Sequence, residues 1–219
     1  MQRFSIFTVF IAVVGHLSAI AQIDPKSKTI MDNSWNKFRS ISKMTATIKI
    51  KTEGPNIQKP ESRVGKAIVS GNKYRITFST EGREIICDEK AVYSYDKKSN
   101  EVTISEYSAD NAEFSLNAFY EQYRKEPKGK YVAEERLPNG TLTDHIELYP
   151  PARKKTNIVR VHLWINKNTH LVEQMKVQDR NQNFTTYIFT DIQINEAVSS
   201  SDFTFDVSKY PNANIVDLR

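Results

Sequence analysis

The sequence predicts a mainly β, α+β protein: one antiparallel sheet of about ten to eleven strands with helices covering its apolar face. Three observations lead there. Short runs in which apolar and polar residues alternate recur through most of the chain, as a sheet with one dry face demands. Only two stretches carry a helical period instead. No internal repeat, low-complexity segment or domain-splitting linker interrupts the pattern, and a sheet this long is able to curl.

Residues 1–21 read as a cleavable signal peptide. Arg3 supplies the positive start, Phe4 to Val14 the apolar run, and Ala19-Ile20-Ala21 the small-x-small site, with cleavage before Gln22. That run falls short of the roughly 20 apolar residues a membrane span needs, and no later window approaches it. Gln22 is not a cysteine, so the new N-terminus has no lipid attachment site. The expectation is an exported, soluble protein whose single domain is residues 22–219.

A helix is expected over about Lys26 to Ser42, where Met31, Trp35 and Phe38 share a stripe flanked by Ile30, Ser34 and Ile41. Asp24 is its N-cap and Pro25 its first helical residue. Strands follow at 45–52, 64–70, 71–79 and 83–88, the third opening on a Gly71-Asn72 turn. "VYSYDKKSNEVTI" (92–104) reads as a hairpin whose polar loop is Asp96 to Asn100. The second helix covers 111–125, where Leu116, Phe119, Tyr120 and Tyr123 recur at i, i+3, i+4 and i+7, with Phe114 ahead of them. Pro127 and Gly129 close it. Further strands are expected at 130–137, 145–150, 157–166, 170–179 and 183–195, and a short tail ends the chain.

Catalytic chemistry finds little support. His145, His162 and His170 lie far apart in separate elements, without a metal-ligand spacing. There is neither a G-x-S-x-G motif nor a glycine-rich phosphate loop. Asp88-Glu89 and Glu134-Glu135 read as solvated pairs at strand ends, and the basic tip "ARKKT" (152–156) as a solvated turn. No enzyme activity, catalytic residue, metal or cofactor is therefore expected. The formal charge of +5, or +4 without Arg3, comes with no basic stripe, which argues against a nucleic-acid partner. Cys87, the only cysteine, rules out an intramolecular disulfide and reads as a small core residue. What remains is apolar surface: an ordinary core, or a gap between sheet and helices that opens to hold a lipid.

Three stretches carry a family likeness. "ICDEKAVYSYDKKSNEVTI" matches an aspartate-led strand pair, "INKNTHLVEQMKVQDRNQNFTTYIFTDIQIN" a pair of late strands, and "FTFDVSKYPNANIVDLR" a closing phrase. In these, and in their order, the chain from about Lys26 to Arg219 resembles the LolA family of periplasmic outer-membrane lipoprotein carriers. The resemblance implies a single unclosed antiparallel β-barrel, lidded by helices, whose interior receives acyl chains. It implies acylated lipoproteins as cargo, an inner-membrane lipoprotein-releasing ABC transporter as donor, and an outer-membrane acceptor of unknown identity. A monomer in the periplasm is expected. A lipid- or lipoprotein-sensing regulatory module, or a carrier of another amphiphile, is the alternative on the same fold.

Strand parity combined with that implied fold gives the expected lining: Ile48, Ile50, Tyr74, Ile76, Phe78, Val102 and Ile104 from the early strands, and Val159, Val161, Leu163 and Ile165 from a later one. Trp35, Phe38, Leu116, Phe119 and Tyr123 form the expected lid. The chain departs from the family pattern at one place. Gly65 matches the family's third-strand glycine, but Gly71-Asn72 stands where better-known carriers have the Arg-Pro whose arginine helps latch the lid.

Overall fold

The computed structural model describes residues 22–55, 57–108, 116–150 and 156–219. The signal-peptide reading (1–21), Phe114 with the first turn of the second helix, and most of the basic tip 152–156 lie outside the described residues.

Helix α1 (Pro25–Arg39) leads into strands β1 (Met44–Glu53), β2 (Glu61–Ser70), β3 (Lys73–Phe78), β4 (Arg83–Cys87), β5 (Ala91–Asp96) and β6 (Glu101–Glu106). Helix α2 (Leu116–Lys125) follows, and then β7 (Gly129–Arg136), β8 (Leu142–Leu148), β9 (Ile158–Asn166), β10 (Val172–Asp179), β11 (Phe184–Ile194) and β12 (Asn214–Asp217). All twelve strands form one sheet in the order β12-β6-β5-β4-β3-β2-β1-β11-β10-β9-β8-β7. The sheet does not close on itself: β12 and β7 are its two edges. The fold is an unclosed, half-barrel-like sheet with two helices, as expected.

Local chemistry sets the boundaries. Asp24 caps α1, its carboxylate accepting from Ser27 N (3.0 Å) and Ser27 Oγ (2.7 Å). The same carboxylate accepts from Tyr131 N at 2.7 Å, so one side chain starts the helix and fixes it to β7. Burial pushes the Asp24 carboxyl up, but these hydrogen bonds outweigh it and hold it below its ordinary range. The β5–β6 hairpin pairs Asp96 with Glu101, which shortens the expected loop to Lys97–Asn100.

The strand that alternation does not find is β12. It is parallel to β6, in contrast to the antiparallel pairing everywhere else in the sheet. The segment before it lies across the outer face. Phe205 stacks on Tyr93 (4.8 Å between ring centres), and Tyr210 packs against both Phe205 and Tyr95. Arg75 holds this strap, donating to the carbonyls of Ser201 (3.3 Å) and Thr204 (2.9 Å) while pairing with Glu84 at 3.2 Å. The result is a second, small core of Ala91, Val102 and Ile104 behind the sheet.

Candidate ligand-binding groove

Directly opposed residues on paired strands share a face. Ile50 stands opposite Tyr187, and Ile48 opposite both Phe189 and Gly65. Ala67 faces Ile76, and Val69 faces Tyr74. On the other wing, Leu163 lies between Ile146 and Met175, and Val161 between Leu148 and Val177. These side chains form one apolar inner face, and α1 and α2 cover it with Met31, Trp35, Phe38, Tyr120 and Tyr123. Gly65 has a steric reason to be glycine. A Cβ there would sit 2.8 Å from the Thr77 carbonyl oxygen and 2.9 Å from the Phe78 ring.

The cover is aromatic and closely packed. Tyr120 lies 5.3 Å from Trp35 and 5.6 Å from Phe38, and Phe119 lies 4.7 Å from Tyr123, all between ring centres. The guanidinium of Arg124 sits 5.1 Å, and that of Arg39 5.6 Å, from the centre of the Trp35 ring. Between Phe38, Met44, Tyr120, Leu171 and Phe189 there is space of only about 10 Å³, enough for about one water and far too little for an acyl chain. At this point the cover and the sheet leave no room between them for an acyl chain.

Polar atoms hold this cover unevenly. The hydroxyls of Ser34 and Tyr120, both buried, bond at 2.6 Å and join α1 to α2. By contrast, Trp35 Nε1 and Tyr123 OH are buried and make no hydrogen bond with any described residue. Each such stranded group costs about 1–3 kcal/mol, so the closed arrangement is less stable than its ring contacts alone imply. Burial pushes the Tyr120 phenol up to about 12 and the Tyr123 phenol higher still, so both stay neutral.

Most of the expected lining is on this face. Ile48, Ile50, Tyr74, Ile76, Phe78, Val161, Leu163 and Ile165 are buried within the main core, as are Trp35, Phe38 and Tyr123 of the expected lid. Phe119 is half-buried against it, and the Leu116 side chain lies outside the described residues. Three positions differ from expectation. Val159 is 39% exposed near the start of its strand. Val102 and Ile104 are on the opposite face, in register with Tyr95 and Tyr93, beneath the C-terminal strap. Their inner-facing neighbours are Thr103 and Ser105, opposite Ser94 and Val92. Residues the expected lining lacked include Tyr187 and Phe189, whose alternation in β11 is visible in the sequence, and Tyr120, which lies on the α2 stripe.

Register also creates a polar cluster on the outer face that sequence distance conceals. His145 stands opposite Trp164 and Glu147 opposite His162, which brings the histidines together. His145 Nε2 and His162 Nδ1 are 2.9 Å apart, and His145 Nδ1 is 2.8 Å from Glu135 Oε1. Trp164 Nε1 donates to Glu135 Oε2 at 2.7 Å. Glu135, expected as a solvated charge at a strand end, is a hydrogen-bonded member of this network while its side chain stays partly exposed. Burial raises its carboxyl, but the bonds from Trp164 and His145 outweigh that and hold it low. Burial lowers His162, partly countered by Glu147. Among the described residues, no group of three or more His, Cys, Asp or Glu side chains could hold a metal ion.

Comparison with known proteins settles the family. The profile described as outer membrane lipoprotein carrier protein LolA matches residues 40–206. The chain belongs to the LolA family. Among solved structures, an uncharacterized conserved protein from Thermus thermophilus is similar over 88% of this chain and 99% of its own, at 13% identity and a TM-score of 0.58. A LolA superfamily protein from Nitrosomonas europaea covers 81% and 97%, at 11% identity and 0.44. The lipoprotein LppX of Mycobacterium tuberculosis covers 80% and 98%, at 12% identity and 0.47. No curated protein matches.

Within this LolA-family fold, the Gly71-Asn72 turn has its own contact with the cover. Asn117 Nδ2 of α2 donates to Asn72 Oδ1 at 2.5 Å. Arg75, two residues into β3, is on the outer face and engaged by the strap. At this turn an amide pair joins the helix to the sheet rim.

Proposed function

We propose that the protein is a periplasmic carrier, exported by its N-terminal signal, that takes acyl chains of lipoproteins into the groove between sheet and helices. In this reading an inner-membrane ABC transporter loads it and an outer-membrane acceptor unloads it. It works as a binding protein, not an enzyme. The single observation that supports the reading most is the apolar inner face that runs from β3 through β1 and β11 to β8 of an unclosed sheet, covered by two short helices rather than by a second sheet.

The energetics favour exchange of cover for cargo. Freeing Tyr120 and Tyr123 exposes two buried aromatics, about 3–6 kcal/mol at 1.5–3 kcal/mol each. A sixteen-carbon chain contributes on the order of 12 kcal/mol at roughly 0.8 kcal/mol per methylene. The chain wins, and the remainder is small enough for release when an acceptor offers a comparable dry surface. In this reading α2 is the element that yields, while α1 stays held by Asp24 to β7 and by a short turn to β1.

Trp35 reports on this exchange. With Trp164→Phe, Trp35 is the only tryptophan, and it starts 3% exposed beneath Arg124 and beside Tyr120. Adding a synthetic triacylated lipopeptide should shift its emission and change its acrylamide quenching, saturating with one lipopeptide per chain. Emission that stays the same while the lipopeptide remains unbound in a parallel sedimentation assay would contradict the reading.

A further inference from the structure

At one end of the inner face the apolar rows stop and charge begins. Arg63 stands opposite Ile50, while Arg83 stands opposite both Phe78 and Asp96. With loop residues Lys59, Glu81 and Lys98 they line an open cleft of about 560 Å³ at the mouth of the groove. That volume is within the usual range for small-molecule sites.

The cations there are incompletely satisfied. Arg63 lies 3.0 Å from Glu61 but 3.8 Å from Glu81, and Arg83 Nε lies 3.6 Å from Asp96. Arg83 Nε is buried and makes no hydrogen bond with any described residue. Lys59 and Lys98 are exposed and form no ion pair with any described residue. Two guanidiniums over one cleft suit a phosphate, which they grip through paired N–H donors. The carboxylates of Glu61, Glu81 and Asp96 would oppose a purely anionic head but suit an ammonium beside the phosphate. The acylated end of a triacylated lipoprotein carries no phosphate, so this mouth fits a second ligand.

We propose that the groove also takes a phospholipid of the phosphoethanolamine type, its phosphate between Arg63 and Arg83 and its ammonium towards Glu81 and Asp96. The inference rests on the acyl-binding reading above and adds a head-group site to it. The lipid's chains lie over Ile50 and Phe78, the last apolar positions before the cleft.

The test uses the mature chain and phosphatidylethanolamine with a fluorophore at the end of one acyl chain. Three competitors separate the possibilities: unlabelled phosphatidylethanolamine, diacylglycerol with the same chains, and chain-free glycerophosphoethanolamine. Phosphatidylethanolamine should displace the probe at a concentration at least tenfold below that of diacylglycerol. Arg63→Gln with Arg83→Gln should erase that preference and leave diacylglycerol displacement unchanged. Lys59→Ala with Lys98→Ala, at exposed positions that do not threaten folding, should reduce it about threefold. Equal displacement by the two lipids, or a preference surviving in both variants, overturns the proposal while leaving acyl binding intact. Displacement by glycerophosphoethanolamine as good as by the lipid overturns it in favour of a soluble phosphate ester. A probe that never binds overturns the acyl-binding reading and the head-group site with it.

Discussion

The same substitution, tyrosine to phenylalanine, should act in opposite directions at two positions three residues apart on α2. Tyr120→Phe keeps the ring against Trp35 and Phe38 but removes the hydroxyl that bonds Ser34 at 2.6 Å. Ser34 is fully buried, so its own hydroxyl is left stranded at a cost of about 1–3 kcal/mol. Tyr123 OH is already buried without a partner among the described residues. Tyr123→Phe removes that stranded group and should stabilise the closed form by a similar amount, about 1–3 kcal/mol. If acyl chains enter only after α2 lifts, apparent affinity follows the open fraction while the closed form predominates. A change of 1–3 kcal/mol then becomes roughly 5–150-fold. Tyr120→Phe should unfold at lower urea yet bind acyl-labelled lipid more tightly, and Tyr123→Phe should resist urea yet bind more weakly. Urea unfolding of the free proteins and equilibrium titration with the labelled lipid read both quantities. If stabilities move as stated while both affinities stay within twofold of the parent, the helices are not in exchange with the ligand, and the reasoning fails.

Three further outcomes follow from the geometry. Ile76→Asp, within the groove, should remove lipid binding, whereas Val102→Asp should lower the urea midpoint by disturbing the strap and leave binding to the folded fraction near normal; loss of binding in both would return Val102 to the lining. Asn117→Ala breaks the amide contact with Asn72, worth about 0.5–1.5 kcal/mol, and should speed lipid uptake in stopped-flow mixing with little change in release. For pH, burial holds folded His162 below its ordinary 6.5, so the unfolded chain binds more protons as pH falls through 6.5. Stability should therefore drop below pH 6.5 until the folded ring also protonates, and His162→Gln should flatten that part of a pH series of urea midpoints. The carboxylates Glu135 and Glu147, held low, act in a separate window below about 4.5.

The alternation of apolar and polar residues reveals strands well and their facing less well. Eleven strands and both helices are legible because apolar residues recur along them at the strand or the helix period. The Asp24 cap is legible because its chemistry is local. Val102 and Ile104 mislead because both faces of the β5–β6 hairpin are partly dry: Phe205 and Tyr210, about a hundred residues downstream, cover the outer one. Parity says which residues share a face, and only that distant strap says which face its apolar residues occupy. Strand β12 escapes for a related reason, since four mostly exposed residues in parallel pairing have no alternation to display. The histidine pair depends on the register between β8 and β9, joined by the nine residues 149–157, too long a connection to set register by turn chemistry. The mouth of the groove is hidden likewise, because Arg63 and Arg83 come to one cleft only through the pairing of β2, β3 and β4.

The most direct test of acyl-chain binding is native mass spectrometry of the protein expressed with its own N-terminal segment and purified without detergent. The account predicts a fraction whose added mass is an acylated lipoprotein, and a phospholipid-bound fraction lost in the Arg63→Gln, Arg83→Gln variant. A protein that flies only as the bare chain, and still does so after incubation with purified triacylated lipoprotein, would contradict it and make the groove an ordinary core.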